Sequence, residues 1–181
     1  MYFKTACVFD VSQTEGKELP EADLPVIQAD AQRLLTLLEM VADRRNIRVA
    51  FQPMEQGAFG VSKGGRIEVA TGYTTGQQSK TLIHELVHEA LHQRTPTDGD
   101  RGVGRSTAEL EAEAVAFVVC QHFSLDVELR ASRYIALWDG DAKKLAGSFS
   151  RVSEAARQLI QDVEEVSRNL EAPVPVVPAM S

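Results

Sequence analysis

Between Pro25 and Arg44 the apolar residues Val26, Ile27, Ala31, Leu34, Leu35, Leu38 and Val41 recur every three or four positions. That period predicts an amphipathic helix. The pattern then changes. Ile47–Phe51 alternates and is rich in β-branched residues, which predicts a strand. Phe59–Ser62 and Arg66–Ala70 flank Lys63-Gly64-Gly65 and predict a hairpin, because a Gly-Gly pair accepts the positive φ of a tight turn. Thr74 or Thr75 can cap a long helix running from about Gln77 to Gln93. Pro96, Gly99, Gly102 and Gly104 make Arg94–Arg105 an irregular loop, and Ser106 opens a second long helix to about Phe123. Further helical stretches are expected near Leu129–Trp138 and Asp141–Leu170, and Phe3–Val11 reads as a short strand. The order of helix, small sheet and further helices predicts an α+β fold, a small β-sheet packed on a mainly helical body.

Length and composition narrow the picture. The 181 residues suit one domain over 1–170, followed by a Pro-rich tail, 171–181, that cannot continue a helix and is expected to be disordered. No internal repeat is visible. With 19 Lys and Arg against 26 acids, the formal net charge is -7, which argues against a generically basic nucleic-acid binder. Cys7 and Cys120 are far apart and form no pair motif, so no disulfide framework is expected. The start of the chain, Met1-Tyr-Phe-Lys-Thr-Ala-Cys-Val-Phe-Asp10, lacks the apolar core of a signal peptide, and no apolar run approaches a membrane span. The expectation is a cytoplasmic protein with no membrane partner.

The sharpest chemical signal lies within a segment already read as helical: Thr81-Leu-Ile-His84-Glu85-Leu-Val-His88-Glu-Ala-Leu-His92 contains His-Glu-x-x-His. Histidines at i and i+4 share a helix face, so both imidazoles can reach one metal ion. Glu85, beside the first of them, can hold and deprotonate a water at that ion. Two imidazoles and a carboxylate suit a single catalytic zinc, and a catalytic zinc usually takes a third protein ligand while keeping one position open. The bland reading is a helix whose histidines serve packing. By chance the pattern arises in well under roughly one in a hundred chains of this size.

The next helix supplies acids: Glu109 and Glu113 are i and i+4 and share a face, whereas Glu111 points roughly the other way. The spacing resembles the Glu-x-x-x-Asp/Glu arrangement of a gluzincin helix, which makes Glu109 the expected third ligand and Glu113 a hydrogen-bonding support for a ligand histidine. Alternatives stay open. Ser106-x-x-Glu109 is also a capping box, and Glu113 or Glu111 could ligate instead. Tyr134, Arg133, His92 and Tyr73 are candidates for an oxyanion donor, Tyr134 foremost. Cys120 has apolar neighbours that favour a buried structural thiol. The strand Arg66–Ala70, just before the metal helix, is a candidate cleft edge for a substrate strand.

Together the zinc helix and Glu109-Leu-Glu-Ala-Glu-Ala-Val-Ala-Phe117 resemble the ImmA/IrrE-type metallopeptidases. Val8-Phe-Asp-Val-Ser-Gln-Thr-Glu-Gly16, Val61-Ser-Lys-Gly-Gly-Arg-Ile-Glu-Val69 and Tyr134-Ile-Ala-Leu-Trp138 look like stretches of the peptidase half of ArdC-type antirestriction proteins. The resemblance implies a zincin-like, gluzincin-type fold with zinc at His84, His88 and Glu109, and Glu85 as general base. It also implies bacterial, plasmid or phage-related biology and a narrow protein or peptide substrate such as a repressor-like regulator. ArdC-like proteins usually carry a single-stranded-DNA-binding domain before this region; the chain begins at the peptidase half, so DNA binding is not expected of this domain. The leading expectation is a zinc endopeptidase. The alternatives are an antirestriction or regulatory binding protein whose zinc is structural, and a metal-free helical interaction domain.

Overall fold

The structure, a computed structural model, describes residues 27–55, 57–91, 105–127 and 142–171. Among these residues are four helices and three strands: α1 (Gln32–Arg44), β1 (Arg48–Gln52), β2 (Gly60–Ser62), β3 (Arg66–Ala70), α2 (Thr75–Leu91), α3 (Arg105–His122) and α4 (Ala142–Glu171). The fold is α+β, mainly helical, with one small sheet. The predicted strand over 3–11, the helix over 129–138 and the tail lie outside the described residues. No helix among the described residues is long and apolar enough to cross a membrane.

The first helix starts later than its apolar period suggests. Residues 27–31 are spent on the start of α2 instead. The Ala31 N–H donates to Thr75 Oγ1 at 2.7 Å, the Ile27 N–H donates to Gln77 Oε1 at 3.2 Å, and the Ala29 carbonyl accepts from the Gly76 N–H at 3.0 Å. Backbone groups bound to another element cannot also close a helical turn. Gly76 is required there, because an added Cβ would meet the Ala29 carbonyl oxygen at 2.6 Å. Thr74 caps α2, its Oγ1 accepting from the Gln77 N–H at 3.3 Å.

In the sheet the order is β1-β3-β2, with β1 parallel and β2 antiparallel to β3. The strand Arg66–Ala70 is therefore central. Both of its edges are paired, so it is not the cleft edge expected above; among the described residues the edge on the β2 side is Gly60–Ser62. Gly64 (φ +70°) and Gly65 (φ +79°) form the hairpin turn, with the Lys63 N–H donating to the Arg66 carbonyl at 2.8 Å.

The helix α2 lies at the centre, in contact with β2, β3, α1, α3 and α4. Its buried Leu82, Ile83 and Leu86 join Leu38 and Val41 of α1, Val115 and Val119 of α3, and Leu159, Val163 and Val166 of α4 in one core. The helices α3 and α4 run parallel, since Glu111 meets Ser148 and Arg151 while His122, further along, meets Glu164 at 3.0 Å. Polar seams fix α1 to α4, with Arg45 on Asp162 at 2.5 Å and Arg44 on Glu165 at 3.2 Å.

Candidate metal centre

One face of α2 carries His84 and His88, and α3 brings Glu109 across from it. His84 Nε2 and His88 Nε2 are 3.1 Å apart; Glu109 Oε2 is 3.4 Å from the first and 3.6 Å from the second. The three atoms make a nearly equilateral triangle. A tetrahedral ion with bonds of about 2.0–2.2 Å needs neighbouring donors about 3.3–3.6 Å apart. The two edges to Glu109 match that spacing and the His84–His88 edge is slightly short of it, so the donor set could hold a metal ion at one face of a tetrahedron. Both histidines are largely covered, while the Glu109 side chain is 53% exposed, so the site opens towards solvent past Glu109.

Behind His84 stands Glu113. Its Oε2 lies 3.7 Å from His84 Nδ1, and its Oε1 accepts from Lys80 Nζ at 2.6 Å. With Nδ1 turned to a carboxylate, Nε2 is the nitrogen presented to the triangle. Burial alone would lower the His84 pKa, but the adjacent Glu109 and Glu113 carboxylates and the charge of Glu85 outweigh it and raise it to about 9. Burial would likewise raise Glu113; His84 and Lys80 outweigh it and hold the carboxyl at about 2.

Glu85 is buried. Desolvation is the main cause that pushes its carboxyl above the ordinary range, opposed by the charge of His84 and by a hydrogen bond from the Ser62 backbone. A carboxyl so placed exchanges its proton nearer neutral pH than an exposed glutamate does.

Of the other candidates, Glu111 turns away as its helical position requires. It is fully buried, accepts from Ser148 Oγ at 2.6 Å and from Arg151 Nε at 3.0 Å, and joins α3 to α4. Cys120 is buried and unpaired, and desolvation pushes its thiol up to about 12. Tyr73 packs on Phe59, ring centroids 4.9 Å apart. Tyr134, Arg133 and His92 lie outside the described residues, as does the Ser106 side chain of the capping-box reading.

Two contributors were missed from sequence. Lys80, one turn before His84, tethers Glu113. Glu89, directly after His88, is buried and accepts from Ser62 Oγ, from the Gly64 N–H at 2.9 Å and from the Gly65 N–H at 2.7 Å. The signal for Glu89 was available: adjacent positive-φ glycines turn their amides into one concavity that calls for an anion.

No family model matches the chain, and no solved structure matches it. In an alignment 192 positions long that covers 91% of its own length, it is 30% identical to an uncharacterised protein of Bacillus anthracis, and it spans 31% of that protein's length.

Proposed function

We propose that the chain is a zinc-dependent endopeptidase of zincin-like, gluzincin-type architecture, acting on peptide bonds of a specific protein. The observation that carries this reading is the triangle of His84 Nε2, His88 Nε2 and Glu109 Oε2, with edges of 3.1, 3.4 and 3.6 Å, beside a buried glutamate on the same helix. His84, His88 and Glu109 would hold the ion, three protein ligands leaving a fourth position open, as catalytic rather than structural zinc sites do. Bound there, zinc supplies an electrophile for the substrate carbonyl and lowers the pKa of water. Glu85 takes the proton of the attacking water and passes it to the amine that leaves. Glu113 keeps His84 turned to the ion, and Lys80 keeps Glu113 in place.

Exchanging Glu85 for Gln keeps the shape of the side chain and removes the base. The expected result is unchanged zinc content with peptide hydrolysis down on the order of 10²–10⁴-fold. Undiminished hydrolysis by Glu85→Gln would remove Glu85 from the chemistry. If the zinc-loaded wild type binds a partner protein and cleaves nothing, the site is structural and the chain is a regulatory binding protein.

A further inference from the structure

The helix residues Thr81, Glu85 and Glu89 form a row at i, i+4 and i+8, and the hairpin lies along it. An added Cβ on Gly60 would sit 2.5 Å from Thr81 Cγ2 and 3.2 Å from Glu85 Cγ, so at this point the strand backbone rests directly on the row. Two residues on, Ser62 reaches Glu89 with its hydroxyl; beyond it, the Gly64 and Gly65 amides do so with their N–H groups. The spacings agree. Four residues of helix advance about 6.0 Å and two residues of strand about 6.7 Å, so the two rows stay in step over this length.

Sheet register explains what β2 offers to the row. The Lys63 N–H donates to Arg66 O at 2.8 Å and the Ala70 N–H to Phe59 O at 2.8 Å, so the odd-numbered residues of this strand pair with β3. Gly60 and Ser62 then turn their N–H groups away from β3, to the edge that no described strand covers. There the Ser62 N–H meets the Glu85 carboxylate. A three-residue strand with one edge that no described strand covers has little of its own to hold that alignment. The turn at its end does have an anchor, which is the buried carboxylate of Glu89.

We propose that Glu89 is the positioning residue of this site: by clamping Ser62 and the Gly64-Gly65 turn to α2, it holds β2 against Glu85 and fixes where the general base stands. This role rests on the peptidase reading for its meaning in catalysis, but the clamp itself is measurable without a substrate. Glu89 touches neither the reacting atoms nor the ion; it acts through β2.

Amide hydrogen exchange of the zinc-loaded full chain tests the clamp, with hydrolysis of reduced casein as the probe of its consequence. In wild type the Ser62, Gly64 and Gly65 amides are expected to be protected although none pairs with β3. In Glu89→Ala all three should exchange about tenfold faster or more, with zinc still bound at one per chain. Casein hydrolysis should fall on the order of 10- to 100-fold in kcat with little change in KM, as a displaced base requires. Glu89→Gln, which keeps one acceptor oxygen, should fall in between. If Glu89→Ala does not fold, Glu89→Gln decides, and Ser62→Ala, which removes one of the three donors, should speed exchange at Gly64 and Gly65. Ser62 protection unchanged in Glu89→Ala, or in Glu89→Gln should the former not fold, would overturn the proposal, as would loss of zinc in a folded variant. If wild type leaves casein intact, as a peptidase narrowed to one protein would, amide exchange decides the clamp.

Discussion

At the scale of single residues, the site is governed by mutual compensation of charge. In the metal-free protein His84 is raised from its ordinary 6.5 to about 9, and Glu113 is lowered from its ordinary 4.5 to about 2. A raised histidine contributes stability that is complete below pH 6.5 and is lost as pH climbs through about 9; a depressed carboxyl contributes above 4.5 and is lost as pH falls towards 2. The pair therefore supports the metal-free fold most between about pH 4.5 and 6.5. At the proposed centre zinc should reverse the alkaline trend, since a ligand histidine must give up its proton to bind. Denaturation midpoints across pH 6.5–9 should fall for the metal-free protein, and the increment added by zinc should grow. A flat metal-free profile would contradict the charge pairing at His84. A second residue-scale outcome concerns Gly60. An added Cβ there would meet Thr81 Cγ2 at 2.5 Å, so Gly60→Ala should destabilise the fold by about 1–3 kcal/mol, read from denaturant midpoints at constant m-value. A midpoint equal to wild type would show that β2 can lift from α2 freely.

The elements show why some of this was legible in the sequence and some was not. The helix carrying His84 and His88 and the Gly-Gly hairpin are both written in local chemistry, a period of 3.6 with a Thr cap and a two-residue turn, and both are seen. The start of α1 is not local. Ile27–Ala31 carries helical spacing, yet its backbone is drawn to Thr75, Gly76 and Gln77 of α2, nearly fifty residues on. The position of Arg66–Ala70 is equally a matter of pairing: nothing in Arg-Ile-Glu-Val-Ala states that the parallel partner β1 will occupy one side and β2 the other. Glu109 and Glu113 share a face by spacing alone, but their division of labour, one at the imidazole Nε2 atoms and the other behind Nδ1, needs the placement of α3 across α2. Glu111, on the opposite face, holds α3 to α4. With Ser148 and Arg151 left unmatched, Glu111→Ala should cost about 1.5–3 kcal/mol by chemical denaturation and leave zinc content unchanged. Loss of zinc in a folded Glu111→Ala would assign Glu111 to the metal site instead.

For the molecule as a whole, the arrangement of layers puts α2 against every other described element except β1. Its core-facing residues Leu82, Ile83 and Leu86 belong to the common core, its Thr81-Glu85-Glu89 row faces the hairpin, and its His84-His88 pair faces α3. Three faces with three tasks leave α2 little freedom to move, which suits a centre whose donors must keep a fixed triangle. The chain spans 31% of the Bacillus anthracis protein it matches, so what surrounds this unit there is a separate matter from the centre itself. Zinc stoichiometry, determined on the purified wild type beside Glu109→Ala and Glu113→Ala, tests the central claim most directly. About one zinc per wild-type chain, none in Glu109→Ala, and one held roughly 10- to 100-fold more weakly in Glu113→Ala is the expected result. A wild type without zinc, or a Glu109→Ala that keeps it as tightly as wild type, would contradict the metal centre drawn here.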